Sequence, residues 1–207
     1  MTHSLHGLYA ITDTQLTPGS ALIPAVEAAL RGGARVIQYR DKGRDSLRRC
    51  EAAAALNALC LNHGALLIIN DDVELAAAIG AAGVHLGRDD PDLHAARKRL
   101  GAHAMIGVSC YNQLERAQTA TEHGADYVAF GRFFPSRTKP DAVAAAPELL
   151  RAARVALDLP LVAIGGITPD NGGLLIEAGA DMLAVIHGVF GQPDIEAAAR
   201  RFALLFD

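Results

Sequence analysis

Apolar residues in this chain come in eight short runs, and between the runs they recur every third or fourth position. The runs are GLYAI at 7–11, RVIQY at 35–39, LLII at 66–69, GVHL at 83–86, AMIGV at 104–108, DYVAF at 126–130, LVAI at 161–164 and MLAVI at 182–186. Runs that are apolar nearly throughout, rather than alternating, predict strands covered on both faces, as in a parallel sheet packed under helices. The intervening stretches predict helices over 18–31, 45–62, 73–81, 92–100, 113–123, 145–156, 171–178 and 195–205. In the first of them Leu22, Ile23, Val26, Ala29 and Leu30 form the apolar face and Gly32-Gly33 is the stop. Strand followed by helix eight times over points to an α/β protein, a (β/α)8 TIM barrel, with a doubly wound open sheet as the competing arrangement. No GxGxxG follows the first run, which weighs against a dinucleotide-binding form of that sheet. At 207 residues the chain is small for a barrel, so one compact domain over 1–207 with short loops is expected. The exception is a long loop over 131–143. GADYV at 124–128 and GADML at 179–183 repeat one signature, in which Gly closes a helix and a small residue and an Asp lead into the next strand.

Chemistry enters where the runs end. In a barrel of this kind the C-terminal strand ends line one mouth. The second run delivers Gln38, Arg40, Asp41 and Lys42 there, the third Asn70 and Asp71, the fourth Asp90 and the fifth Ser109. The loop after the sixth carries Ser136, Arg137, Thr138 and Lys139. A β-α-β crossover leaves both strand ends on one edge, so Asp71 and Asp90 converge although nineteen positions separate them. Two carboxylates on one edge suit Mg²⁺, which takes one or two protein oxygens and fills the rest of its shell with water and phosphate. Arg40, Lys42 and Lys139 are phosphate ligands, and Ser109 and Thr138 carry hydroxyl donors. A diphosphate bridged by Mg²⁺ would satisfy the whole set. The plainer alternatives are that Asp72, Asp90 and Ser109 cap the helices that follow, and that Arg40, Asp41, Lys42 and Lys139 are solvated loop charges.

A second anion site is of another kind. Gly165-Gly166 and His187-Gly188 let backbone approach a ligand closely, and barrels hold a monophosphate on these two loops. His187 is either a ligand contact or a half-buried residue with a backbone partner. His85, inside the fourth run, reads as a packed barrel histidine. Two anion sites imply two phosphorylated small-molecule substrates.

Charge and composition narrow the field. A net charge of −4 supplies no general basic field for nucleic acid, and no apolar run is long enough for a bilayer. The opening MTHSLHGLYAITD lacks a basic segment, an apolar core and a cleavage site, so a cytoplasmic protein is expected. Cys50, Cys60 and Cys110 form no CxxC pair and read as reduced thiols, the first two on one helix.

The stretches GLYAITD, VIQYRDK, LIINDD, GVHLGRDD, IGVS, GADYVAFGRFFPSRTKP, VAIGGIT and AVIHGVF run in this order along nearly the whole chain. Together they resemble the thiamine-phosphate synthase, or thiamine-phosphate pyrophosphorylase, family. The resemblance implies a transferase that condenses hydroxymethylpyrimidine diphosphate with hydroxyethylthiazole phosphate, releasing diphosphate and giving thiamine phosphate, with one Mg²⁺ per active site. It implies that Gln38, Tyr39, Arg40, Asp41, Lys42, Asn70, Ser109 and Lys139 hold the pyrimidine diphosphate and that Asp71 and Asp90 bind the metal. Ser136, Arg137, Thr138, Gly166, Ile186 and His187 would hold the thiazole phosphate. Arg40, Lys42, Ser109 and Lys139 would be catalytic. Two positions depart from the commoner family pattern: His187 stands where serine is frequent, and Ser136 replaces a common threonine. Competing readings are a thiazole tautomerase relative, which lacks the metal carboxylates and uses a histidine where Arg132 stands, and a non-catalytic phosphate-ligand-binding protein. Apolar outer helix faces are compatible with a homo-oligomer.

Overall fold

The eight apolar runs pair in the order in which they occur. The structure is a computed structural model that describes residues 5–87, 92–135 and 143–207. In it β1 (Gly7–Ile11), β2 (Val36–Tyr39), β3 (Leu66–Asn70), β4 (Gly83–Leu86), β5 (Met105–Tyr111), β6 (Tyr127–Phe130) and β7 (Leu161–Ile164) each pair in parallel with the next. β8 (Met182–Val185) pairs with β7 and returns to β1, which closes the barrel.

Two apolar layers explain why the strands read as continuous. Side chains alternate across a strand. One set, including Tyr9, Ile11, Val36, Ile68, Tyr127, Val162 and Met182, fills the barrel interior. The other, including Leu8, Ile37, Leu67, Ile69, Val84, Ile106, Val128 and Leu183, packs outward under the helices.

Several helices begin where a side chain takes up a free N–H group of the first turn. The described helices are α1 (Leu22–Arg31), α2 (Ser46–Asn62), α3 (Val73–Ile79), α4 (Leu93–Leu100), α5 (Leu114–Glu122), α6 (Pro147–Ala156), α7 (Pro169–Glu177), α8 (His187–Phe190) and α9 (Ile195–Ala203). Asp45 accepts from Arg48 N, Asp72 from Leu75 N, Asp92 from His94 N and Asp194 from Ala197 N. Gly80, at φ 63°, ends α3 in the left-handed region that favours glycine. The expected helix over 18–31 instead starts as a 3₁₀ turn, Gly19–Ala21. α6 starts two residues late because Pro147 fits only the first turn. α7 starts two residues early, since Asn171 Oδ1 accepts the Thr168 N–H at 2.8 Å and fixes Pro169 as its first residue. β5 runs three residues past its expected end through a bulge between Ser109 and Tyr111. α8, four residues long, is too short to leave a periodic trace and was not expected.

The repeated GAD signature is a brace at the barrel's N-terminal end. Asp126 Oδ2 accepts Ile106 N at 2.7 Å and the Arg97 guanidinium at 2.5 Å, while its own N–H bonds Ile106 O at 2.8 Å. Asp181 repeats this: Oδ2 accepts Leu161 N at 2.7 Å and the Arg154 guanidinium, and its N–H bonds Leu161 O at 2.9 Å. Each Asp thereby joins a strand start to the neighbouring strand and to the helix that leads into that neighbour, α4 for Asp126 and α6 for Asp181.

Candidate active site

Strand alternation sends Gln38, Asn70, His85 and Ser109 inward near the C-terminal ends of β2 to β5, where they meet in a cavity of about 440 Å³. Arg40, Arg132, Gly165, Gly166, Ile186 and His187 complete its wall, with Gln192 beyond α8. Of the residues expected at the mouth, the structure brings Gln38, Arg40, Asn70, Ser109, Gly166, Ile186 and His187 to one cavity.

Two neighbours in the QYRDK stretch face elsewhere. The Tyr39 side chain lies in the layer under the helices, and its hydroxyl donates to Asp41 Oδ2 at 3.1 Å. Asp41, with its side chain only 2% exposed, also accepts Gly43 N at 2.7 Å and the Arg48 guanidinium at 2.6 Å. Burial opposes its charge, but the Gly43 N–H, the Arg48 guanidinium and the Tyr39 hydroxyl outweigh that and hold the carboxyl below its usual range. Burial and the neighbouring carboxylate push the Tyr39 phenol up to about 12. The two residues therefore stiffen the β2–α2 turn, and neither lines the cavity. Arg40 is set by its own N–H, which donates to Thr12 Oγ1 at 3.0 Å.

Asp71 and Asp72 divide their work. Asp72 caps α3 and pairs with Arg49 at 2.7 Å. Asp71, one residue past the lining Asn70, adopts φ 65°, and its N–H donates to His85 O at 2.9 Å. Its carboxylate, a third exposed, lies 3.5 Å from Lys42 Nζ. A hard cation needs few protein oxygens when phosphate supplies others, so this carboxylate suits Mg²⁺. No cluster of three or more His, Cys, Asp or Glu that could hold a metal occurs among the described residues. Asp90, Ser136, Arg137, Thr138 and Lys139 lie outside the described residues.

Gly166 is required by packing. It takes φ 65°, and a Cβ there would lie 2.4 Å from Pro135 O, in the loop after β6. His187 opens α8 as a cavity-lining but exposed residue, and its carbonyl accepts from Gln192 Nε2 at 3.1 Å.

At the cavity floor, polar side chains form a line across the barrel that the sequence reading did not find. Gln38 Nε2 donates to Tyr9 Oη at 2.7 Å; Tyr9 Oη lies 2.9 Å from Tyr127 Oη. Tyr127 Oη lies 3.1 Å from His85 Nδ1, and His85 Nε2 lies 2.9 Å from Ser109 Oγ. His85 is packed in the barrel, as expected, yet it also lines the cavity. The available signal was an amphipathic residue in each of three otherwise apolar runs: Tyr9, His85 and Tyr127. Arg132 and Gln192 were likewise not singled out as ligands. Cys60 and Cys110 are buried and their thiols are pushed up to about 12 by that burial, which leaves them unreactive.

Comparison with known proteins gives one answer. Residues 8–189 match the family model described as thiamine monophosphate synthase. The thiamine-phosphate synthase of Marinobacter nauticus is 58% identical over 198 residues, covering 95% of this chain and 89% of that one. The thiamine-phosphate synthase of Nitrosococcus oceani is 57% identical over 202 residues, covering 98% and 93%. Among solved structures, thiamine phosphate pyrophosphorylase from Pyrococcus furiosus matches with a TM-score of 0.89 at 35% identity, over 98% of this chain and 96% of that one.

Proposed function

The chain belongs to the thiamine monophosphate synthase family, and from that membership we propose how its barrel mouth works. The protein is a transferase that condenses thiamine precursors to thiamine phosphate. The finer reading is that the precursors are hydroxymethylpyrimidine diphosphate and hydroxyethylthiazole phosphate. The supporting observation is that Gln38, Arg40, Asn70, Ser109, Gly166, Ile186 and His187 share one cavity at the C-terminal strand ends, the face that carries chemistry in barrel enzymes.

In this reading Gln38, Asn70 and Ser109 hold the pyrimidine end, and Arg40, Lys42 and Lys139 meet the diphosphate. Gly166, Ile186 and His187, with Ser136, Arg137 and Thr138, hold the thiazole phosphate. The bond between the pyrimidine methylene and the diphosphate oxygen breaks, and its electron pair leaves on oxygen. Arg40, Lys42 and Lys139 stabilise that growing negative charge. The electron-rich aminopyrimidine carries the methylene cation until the thiazole nitrogen donates its lone pair and closes the new C–N bond. No protein nucleophile is needed; catalysis is positioning and preorganised charge. Asp71 and Asp90 would hold Mg²⁺, which when bound supplies further charge neutralisation to the diphosphate oxygens. Tyr39 and Asp41 act at one remove, by bracing the turn that carries Arg40 and Lys42. We place this single barrel domain over 1–207 in the cytoplasm, acting on two phosphorylated small molecules without nucleic acid or membrane. Among the described residues no helix is long and apolar enough to cross a bilayer.

The test is formation of thiamine phosphate and diphosphate by the purified protein from the two substrates, with and without Mg²⁺. Asp71→Ala or Lys139→Ala should lower kcat far more than His187→Ala. Equal losses in all three would contradict the division of roles.

A further inference from the structure

We infer that Tyr127, which does not line the cavity, is a positioning residue that sets the donor and acceptor pattern of the mouth through a one-way chain of hydrogen bonds. The inference rests on the synthase reading for its functional meaning but not for its geometry. The chain is Gln38, Tyr9, Tyr127, His85, Ser109, linked by contacts of 2.7, 2.9, 3.1 and 2.9 Å.

Its direction follows from counting protons. Tyr9 and Tyr127 are 1% and 0% exposed, so no bulk water reaches their hydroxyls. A buried hydroxyl has one proton to give and must both donate and accept to be satisfied by two partners. Burial pushes both phenols above their ordinary range, so both protons stay in place. Gln38 donates its amide N–H to Tyr9. The Tyr9 proton must then go to Tyr127, and the Tyr127 proton to His85 Nδ1. A ring whose Nδ1 accepts carries its proton on Nε2, and that N–H points to Ser109 Oγ. Ser109 accepts from His85 and keeps its own hydroxyl proton for the cavity. At the other end Gln38 has committed one N–H inside the barrel and retains Oε1 as an acceptor and its second N–H as a donor. The chain thus makes Ser109 a donor and leaves Gln38 one donor and one acceptor.

Tyr127 is the link on which this depends, and the barrel is built to admit it. At Gly107, its partner across β5 and β6, an added Cβ would lie 1.9 Å from Tyr127 Cζ and 2.4 Å from Oη. Only glycine leaves the phenol room to reach both hydroxyl and imidazole. The Tyr127 ring also stacks on His85, with centroids 5.6 Å apart and planes 26° apart, and meets Tyr9 edge-on at 6.1 Å and 71°. Ring orientation and proton direction are therefore held by the same residue.

The test reads His85 directly. In protein labelled with ¹⁵N-histidine, long-range ¹⁵N–¹H correlation at neutral pH reports which ring nitrogen is protonated, and loss of one signal set in His85→Gln assigns it. The expected result for the wild type is a protonated Nε2 and a bare Nδ1. A proton on Nδ1, in either the other neutral form or the cation, overturns the inference, and this reading needs no Tyr127 variant to fold. In Tyr127→Phe the His85 signals should move away from those of the single Nε2-protonated tautomer. Its kcat should fall about five- to tenfold, the scale of one hydrogen bond, with KM for the thiazole phosphate unchanged. Wild-type His85 signals and kcat in that variant would also overturn it. Failure of the wild type to make thiamine phosphate, with Nε2 protonated, would sink the synthase reading and leave the chain's direction standing.

Discussion

Asp71 is the residue at which backbone and function pull in different directions. A φ of 65° is costly for most side chains, and Asp and Asn are among the few that tolerate it. The ion pair with Lys42 does not justify the conformation: at 3.5 Å, with Lys42 65% exposed, such a pair contributes at most about 1 kcal/mol. The capping of α3 is left to Asp72, whose Oδ1 accepts Leu75 N. Asp71→Asn keeps the backbone preference and removes the charge. Its thermal stability should stay within about 0.5 kcal/mol of wild type, while the dependence of kcat on Mg²⁺ collapses; wild-type Mg²⁺ response would reject Asp71 as a metal ligand. The capping role of Asp72 was legible beforehand because helix starts have a spacing rule. The polar line from Gln38 to Ser109 was not, since a tyrosine in an apolar strand is more often packing than network, and only the barrel's closure brings Tyr9 and Tyr127 together.

At the scale of elements, the β2–α2 turn shows how a consecutive polar run splits into two jobs. QYRDK reads as one block of ligands, but alternation at the end of β2 puts Gln38 inside and Tyr39 outside, and Asp41 closes a turn with Gly43 and Arg48. Because the folded Asp41 carboxyl is held below its unfolded range, its contribution is fully present above the unfolded carboxylate range. That contribution is lost as pH falls through the folded value. Asp41→Asn should therefore cost about 1–2 kcal/mol at neutral pH, and the gap from wild type should shrink in acid. Denaturant unfolding at neutral and acid pH checks both, and a gap that widens in acid reverses the sign and the argument. The strands and most helices were legible because each is long enough to show its period. The extension of β5 and the four-residue α8 were not: a bulge and a single turn carry no period of their own.

Across the whole molecule, the proposed function and the observed braces sit at opposite ends of the barrel, as the fold leads one to expect. The C-terminal end gathers Arg40, Asn70, Ser109 and His187 around the cavity. The N-terminal end carries the two Asp–Arg braces, in which Asp126 and Asp181 each bond an N–H at the start of a neighbouring strand and an arginine from the helix leading into that strand. Removing Asp126 leaves the Ile106 N–H without its acceptor and the Arg97 guanidinium with only the backbone carbonyls of Gly101, Ala104 and Gly124, a loss of about 2 kcal/mol. For a chain of this size that lowers Tm by roughly 4–8 °C. The cavity is built from the other strand ends, so Asp126→Ala should retain wild-type kcat, KM and Mg²⁺ dependence at a temperature well below its Tm. Asp71→Asn should do the reverse, keeping Tm and losing turnover. The pair tests the separation as a whole, by calorimetry and steady-state kinetics on the same preparations. If Asp126→Ala loses turnover while still folded, the braces set the geometry of the mouth, and the two ends are mechanically coupled through the strands.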